Sequence, residues 1–205
     1  MTAFSRRAFT AAALASVLTA CGGGPAARPR AAATSPSPEP ARGSRPAAGP
    51  VPVRLLIPAI GVDTPVITLG LAADGTVQVP PVTADDRAGW YRHSPAPGRT
   101  GPSVLLGHVT VGRFGDGVFR HLDRLRPGDR IEARLENGTA ARFAVTSVRT
   151  VPKHDFPADD VYGNVDRPEL RLITCGGART GDGYADNVIV FAARDGAGSP
   201  TLGER

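Results

Sequence analysis

Arg130-Ile131-Glu132-Ala133-Arg134-Leu135, then Glu136-Asn137-Gly138-Thr139, then the run from Arg142 to Val151, is the stretch on which the fold turns. Two β-rich runs flank an Asn-Gly pair, and Asn-Gly readily takes the positive φ values that a tight hairpin needs. The segment predicts an antiparallel hairpin. Outward from it, similar runs recur at strand spacing: Val53 to Ile57, Pro65 to Leu69, Thr76 to Val79, Ser103 to Leu106, Arg171 to Thr174 and Asn187 to Ala192. Val118, Phe119, Leu122 and Leu125 follow helical spacing after Asp116, a residue able to cap them, and Pro127-Gly128 ends the run, so a short crossover helix is expected there. About eight short strands, one or two short helices and many Gly and Pro punctuators describe a mainly β domain, closed or nearly closed. Periodicity by itself does not separate barrel from sandwich.

The first fifty residues have another purpose. Arg6 and Arg7 precede an apolar stretch of small residues, Ala8 to Ala20. It is too short to span a bilayer, which takes about 20 apolar residues. This is an export signal, expected to be removed. Leu18-Thr19-Ala20-Cys21 resembles the lipobox of bacterial lipoproteins, which implies lipidation of Cys21, a leader over residues 1–20 and a protein held on the outer face of the cell membrane. Ser5-Arg6-Arg7-Ala8-Phe9 resembles a twin-arginine motif as well, leaving the export route open. Residues 22–50 are nearly all Gly, Ala, Pro, Ser and Arg with no Leu, Ile or aromatic residue to bury, and read as a disordered tether following Cys21. The expected organisation is leader 1–20, lipidated tether 21–50, one folded domain 51–197 and a disordered tail 198–205.

Charge excludes little but does not favour nucleic acid. The formal net charge is +5, and removing residues 1–20 with Arg6 and Arg7 leaves +3. The basic residues are scattered, without an aromatic ladder. If lipidation consumes Cys21, the other of the two cysteines, Cys175, is a free thiol and the domain must be held by its core.

Cys175 closes the run Arg171-Leu172-Ile173-Thr174 just before Gly176-Gly177, and His108 closes Leu105-Leu106-Gly107. A thiol is a nucleophile as thiolate, and an imidazole is its usual helper because its pKa lies in the working range. The blander readings are an inert strand-end cysteine and a histidine bonding a loop carbonyl. Whether the two meet depends on the fold. A guanidinium would steady the substrate carbonyl. Arg179 is the nearest after the thiol, and Arg171 competes because alternation puts it on the face of Ile173 and Cys175. His93, His121 and His154 read as structural or solvated.

These pieces together resemble a known family. Ile57-Pro58-Ala59-Ile60-Gly61-Val62, Ala88-Gly89-Trp90-Tyr91, Gly107-His108-Val109, Leu172-Ile173-Thr174-Cys175-Gly176-Gly177 and Asp186-Asn187-Val188-Ile189-Val190 are similar to the motifs of class F sortases, the actinobacterial cysteine transpeptidases, from about Val53 to Ala193. The resemblance implies an eight-stranded sortase β-barrel, a catalytic histidine at His108 and a nucleophile at Cys175. It further implies cleavage of an LPxTG-type sorting motif through a thioester, and transfer to an amine acceptor such as a cell-wall precursor. No metal or cofactor is required, and a monomer is expected. Two positions depart from the pattern. Ala185 stands where many class F members have arginine before the Asp-Asn pair, so Arg179 is expected to supply that cation, and Thr110 stands where the family often has aspartate. An L,D-transpeptidase is the first rival, but those enzymes carry histidine and glycine close before the cysteine. The second is a sortase-fold lipoprotein acting as a non-catalytic binding module.

Overall fold

The Asn137-Gly138 turn forms as the sequence demands. Gly138 takes φ +82°, its amide donates to the Leu135 carbonyl at 3.0 Å, and the Thr139 amide donates to Asn137 Oδ1 at 3.1 Å. The structure, a computed structural model, describes residues 49–83, 87–181 and 183–195; the leader, nearly all of the tether, Cys21 and the tail lie outside them.

Eight strands among the described residues close into one barrel: β1 (Pro52–Ile57), β2 (Val62–Leu69), β3 (Ala88–Tyr91), β4 (Gly101–Leu106), β5 (Arg130–Leu135), β6 (Ala140–Pro152), β7 (Pro168–Thr180) and β8 (Gly183–Arg194). Their order around the barrel is β1-β2-β3-β4-β7-β8-β6-β5, with β5 returning to β1. Closure leaves no unpaired edge. Most neighbours are antiparallel, but β2 pairs with β3, and β4 with β7, in parallel. Alternation then sorts the side chains. Leu105, Phe143, Leu172 and Val190 fill the interior with Leu55 and Ile131, all at 1% exposure or less. Val104, Ile173, Ile189 and Phe191 point out of the barrel and are covered by α1 (Ala158–Tyr162) through Val161. The two-sided burial of β4 and β7 explains their continuous apolar character.

Two expectations from the sequence are corrected. Thr76–Val79 is not a strand of the barrel: Asp74-Gly75 makes a turn, Leu71 and Val77 form only an isolated bridge, and Gln78 folds its side chain back to accept from the Gly70 amide at 2.8 Å. The place in the barrel goes instead to Ala88–Tyr91, four residues with too little length to show a period. Gly89 is required there, because a Cβ would overlap the Leu69 side chain of β2.

The expected crossover helix from Asp116 to Leu125 is likewise absent. The Gly117 amide donates to the Val109 carbonyl at 3.0 Å and that of Phe119 to the His108 carbonyl at 2.9 Å, so the first amides are spent on another segment. The chain continues as a set of tight turns bonded three residues apart, ending in a 3-10 turn at Leu122–Arg124. Phe119, Leu122 and Leu125 still bury their side chains, which accounts for the apolar spacing.

Candidate active site

The parallel pairing of β4 with β7 brings His108 and Cys175 to the same end of the barrel. Leu105 is opposite Leu172 and Leu106 opposite Ile173, and the ladder runs one step further, with the Gly107 amide donating to the Ile173 carbonyl at 3.1 Å. His108 and Cys175 each lie two residues beyond the last pair, on neighbouring chains that run about 4.8 Å apart. Both are half-buried. Residues remote in sequence thus come to the same end of the barrel for the reason parallel strands always need a long crossover: their matching ends point the same way.

His108 is held from two directions. Its Nε2 lies 2.6 Å from the carbonyl oxygen of Pro80, in the segment between β2 and β3. A carbonyl oxygen only accepts, so Nε2 carries the proton and Nδ1 of the neutral ring is left with a free lone pair. Its own carbonyl accepts from Phe119, and Gly117 is packed so closely against that carbonyl that a Cβ would overlap it. Gly107 is similarly confined, a Cβ there coming to 2.6 Å from Phe119 Cδ2. Pro80 itself is buried while Val79 and Val82 are 62% and 55% exposed. Sequence reasoning missed this contact because a backbone carbonyl leaves no residue-type signature.

The thiol's surroundings are set by a bulge. Gly176 is opposite Asp186 and Arg179 opposite Tyr184, so β7 takes three steps where β8 takes two. The extra residue is accommodated at Gly177, whose φ is +72°. A Cβ there would also overlap the Asp186 carboxylate, and such a bulge locally bends and twists its strand. Opposite residues of an antiparallel pair point the same way. Arg179 therefore shares the face of Tyr184, whereas Cys175 shares that of Asn187. Without the bulge, four residues of spacing would have put Arg179 on the face of Cys175. Arg179 is exposed, across from a tyrosine that lines the cavity next to the thiol. Ala185 alternates onto the face of Asn187 and brings no charge.

Arg171 shares the face of Ile173, as alternation predicts, but it is only 4% exposed and fully engaged. Its Nη2 donates to Glu169 Oε2 at 2.5 Å, its Nε to the Asp160 carbonyl at 3.2 Å, and its guanidinium carbon stands 4.6 Å from the centre of the Phe191 ring. That arginine is a structural member of the α1 contact.

One cavity contains the thiol, and a second lies back along β4. The first, of about 300 Å³, is lined by Cys175, Gly177 and Tyr184 together with Val109, Arg120 and Asp123. Arg120 and Asp123 were not singled out by the sequence, being ordinary exposed charges in a run read as helix. The other, of about 360 Å³, lies toward the start of β4 and is lined by Pro102 and Val104 with Tyr91 and Tyr162. Its aromatic rings are mutually packed, Tyr91 and Tyr162 at 6.3 Å edge-on. Burial, with Tyr91 beside it, pushes the Tyr162 hydroxyl above its ordinary pKa. His93 also lines this cavity, His121 a separate polar one, and His154 is 80% exposed beside Asp155.

The sortase-domain family model matches residues 55–195, more than half of the chain. Among solved structures the chain is similar to sortase C-1 of Actinomyces oris, 23% identical with a TM-score of 0.55 over 69% of this chain and 72% of that one. It is similar also to sortase A of Corynebacterium diphtheriae in a lid-mutant form, 21% identical with a TM-score of 0.56 over 75% and 74%. Sortase C of Clostridium perfringens SM101 gives 19% identity and a TM-score of 0.52 over 72% and 71%. No curated protein sequence matches. A closed barrel, a free thiol on β7 and a histidine just past the end of β4 agree with the family match, and the match is decisive: the chain belongs to the sortase family of cysteine transpeptidases.

Proposed function

We propose that this protein is a class F-type sortase that cleaves an LPxTG-like sorting motif and transfers its acyl part to an amine, working from the outer face of the membrane through a lipid on Cys21. The observation that supports the reading is the parallel β4–β7 register, in which His108 and Cys175 each follow the last paired residue of their strand by two positions. Cys175 transfers its proton to Nδ1 of His108, whose Nε2 is already committed to Pro80, and the thiolate attacks the substrate carbonyl carbon. The oxyanion collapses, Nδ1–H protonates the leaving amine, and a thioester remains on Cys175. An acceptor amine then attacks the thioester carbon, gives a proton to Nδ1 and expels the sulfur. Arg179 is assigned to the substrate carbonyl, with Arg120, on the wall of the thiol's cavity, as the competing cation. The apolar cavity supports a motif with a bulky apolar residue upstream, because Val104 lines it and stands four residues before His108. That spacing is about 13 Å of extended chain, or roughly four residues of a peptide lying along the groove.

The test is the full chain with a panel of LPxTG-like peptides and an added amine. Cys175→Ala and His108→Ala should abolish turnover while the barrel stays folded. Loss of activity in Arg179→Ala but not in Arg120→Ala supports the first cation, and the reverse supports the second. Ala185, uncharged where an arginine is common, favours a second reading as a binding module. Failure of the wild type to form a thioester with any peptide, together with slow alkylation of Cys175 by iodoacetamide at mildly acidic pH, would select it.

A further inference from the structure

We infer that the cavity beyond Cys175 is the acceptor site, and that Asp123 and Thr174 bind the incoming group as an alkylammonium. This rests on the sortase reading and names where its second substrate enters. The aromatic cavity lies toward the start of β4, at Pro102 and Val104, and the other cavity lies past the end of β4 and along the later part of β7, at Val109 and Gly177. A peptide running from the first toward the thiol leaves its acyl portion on one side of Cys175 and its departing amine on the other. The acceptor reacts by the reverse of the same step, so it approaches through the space the leaving amine vacates.

The walls of that space suit a cation with hydrogen-bonding capacity. Asp123 lines it and has no hydrogen bond or ion pair among the described residues. Arg120, on the same wall, has its charge partly met by Asp116, Nε to Oδ1 3.3 Å. Thr174 is 5% exposed, lines the cavity, and its buried hydroxyl has no partner among the described residues. A buried polar group without a partner costs stability, and it takes a bond where a water or a ligand can supply one. The bound ammonium loses one proton to water and, as the C–N bond forms and the C–S bond breaks, a second to Nδ1 of His108. Thiolate and imidazolium are thereby regenerated.

The experiment measures the ratio of aminolysis to hydrolysis, which divides out the rate of thioester formation, with triglycine, a lysine ε-amine peptide and hydroxylamine as acceptors. Hydroxylamine is largely uncharged near neutral pH. At low salt, Asp123→Asn should lower the ratio about tenfold for the two ammonium acceptors and change it less than about twofold for hydroxylamine. Thr174→Val, which keeps the shape, should lower it about fivefold with a melting temperature equal to or above wild type. Asp195→Asn, at the far end of β8, serves as the control. Ratios unchanged in both variants, or a fall equal for all three acceptors, overturn the site while leaving the sortase reading intact. A wild type that cleaves peptide but transfers to no amine also overturns it. A wild type that forms no thioester sinks the underlying reading instead.

Discussion

The Pro80 carbonyl oxygen and His108 Nε2 lie 2.6 Å apart, so a backbone group from the segment between β2 and β3 decides which nitrogen of the ring is free to exchange protons. The neutral ring should therefore be the Nε2–H tautomer, with Nδ1 as base. Nitrogen-15 shifts of labelled His108 in its neutral form should show a protonated Nε2; the Nδ1–H pattern would refute the assignment. His108→Gln, whose amide can still donate to Pro80, should keep the melting temperature and lose turnover.

Gly177 is the position where backbone and side-chain constraints coincide. Gly177→Ala puts a Cβ on a residue whose φ is +72° and forces it into the Asp186 carboxylate. The left-handed backbone alone costs a non-glycine residue about 1–2 kcal/mol. The expected outcome is a lower melting temperature together with a large loss of turnover, because the bulge sets the chain directly after the thiol. Adding Asp186→Ala should recover part of the stability, the share due to overlap, and no more.

Arg171 and Glu169 test the opposite kind of arginine. They are 4% and 8% exposed and paired at 2.5 Å, so Arg171→Ala leaves the buried carboxylate with only the more exposed Arg167, 2.6 Å from its other oxygen. With Arg167 still paired to Glu169, the loss should be about 2–3 kcal/mol in denaturant unfolding, below the cost of a wholly unpaired buried charge. Turnover per folded molecule should change far less than in Cys175→Ala. Equal losses would mean that Arg171 has a part in the chemistry.

Glu132 gives a pH signature away from the site. Hydrogen bonds from Arg134, and next from Arg142, hold its carboxyl below the usual range, at 2.9 Å and 3.0 Å. A depressed pKa adds stability that is complete above the ordinary carboxylate range and is lost as pH falls through the folded-state value. Glu132→Gln should therefore melt slightly lower than wild type near neutrality, by less than about 1 kcal/mol, and the gap should close in acid. A gap that widens in acid would contradict the pairing.

Most of the barrel was legible because its strands are long enough to show their chemistry. The Arg130–Val151 hairpin announces itself through Asn137-Gly138, and β4, β7 and β8 through unbroken apolar runs buried on two faces. Ala88–Tyr91 was visible only as a family motif, since four residues with a glycine demanded by Leu69 carry no period. Thr76–Val79 has strand composition but follows a turn and spends its hydrogen bonds locally. The apolar spacing from Val118 to Leu125 reports burial correctly and conformation wrongly, because the amides of Gly117 and Phe119 are claimed by Val109 and His108. At the site, thiol and imidazole were legible as residue types at strand ends. Pro80, Arg120, Asp123 and the bulge that turns Arg179 were not, for each depends on which loop lies over which strand.

Under the proposed function, the β4–β7 ladder also governs when this chain can first become reactive. Sulfur and ring belong to segments separated by two strands, a hairpin turn and a helix, and no local structure presents one to the other. A chain still emerging from the ribosome, or one crossing a membrane unfolded, carries an ordinary thiol with no activator. On that reading the thiol gains its activator only once β4 and β7 are paired, so an unfolded chain has no means of attacking the peptides it meets on the way.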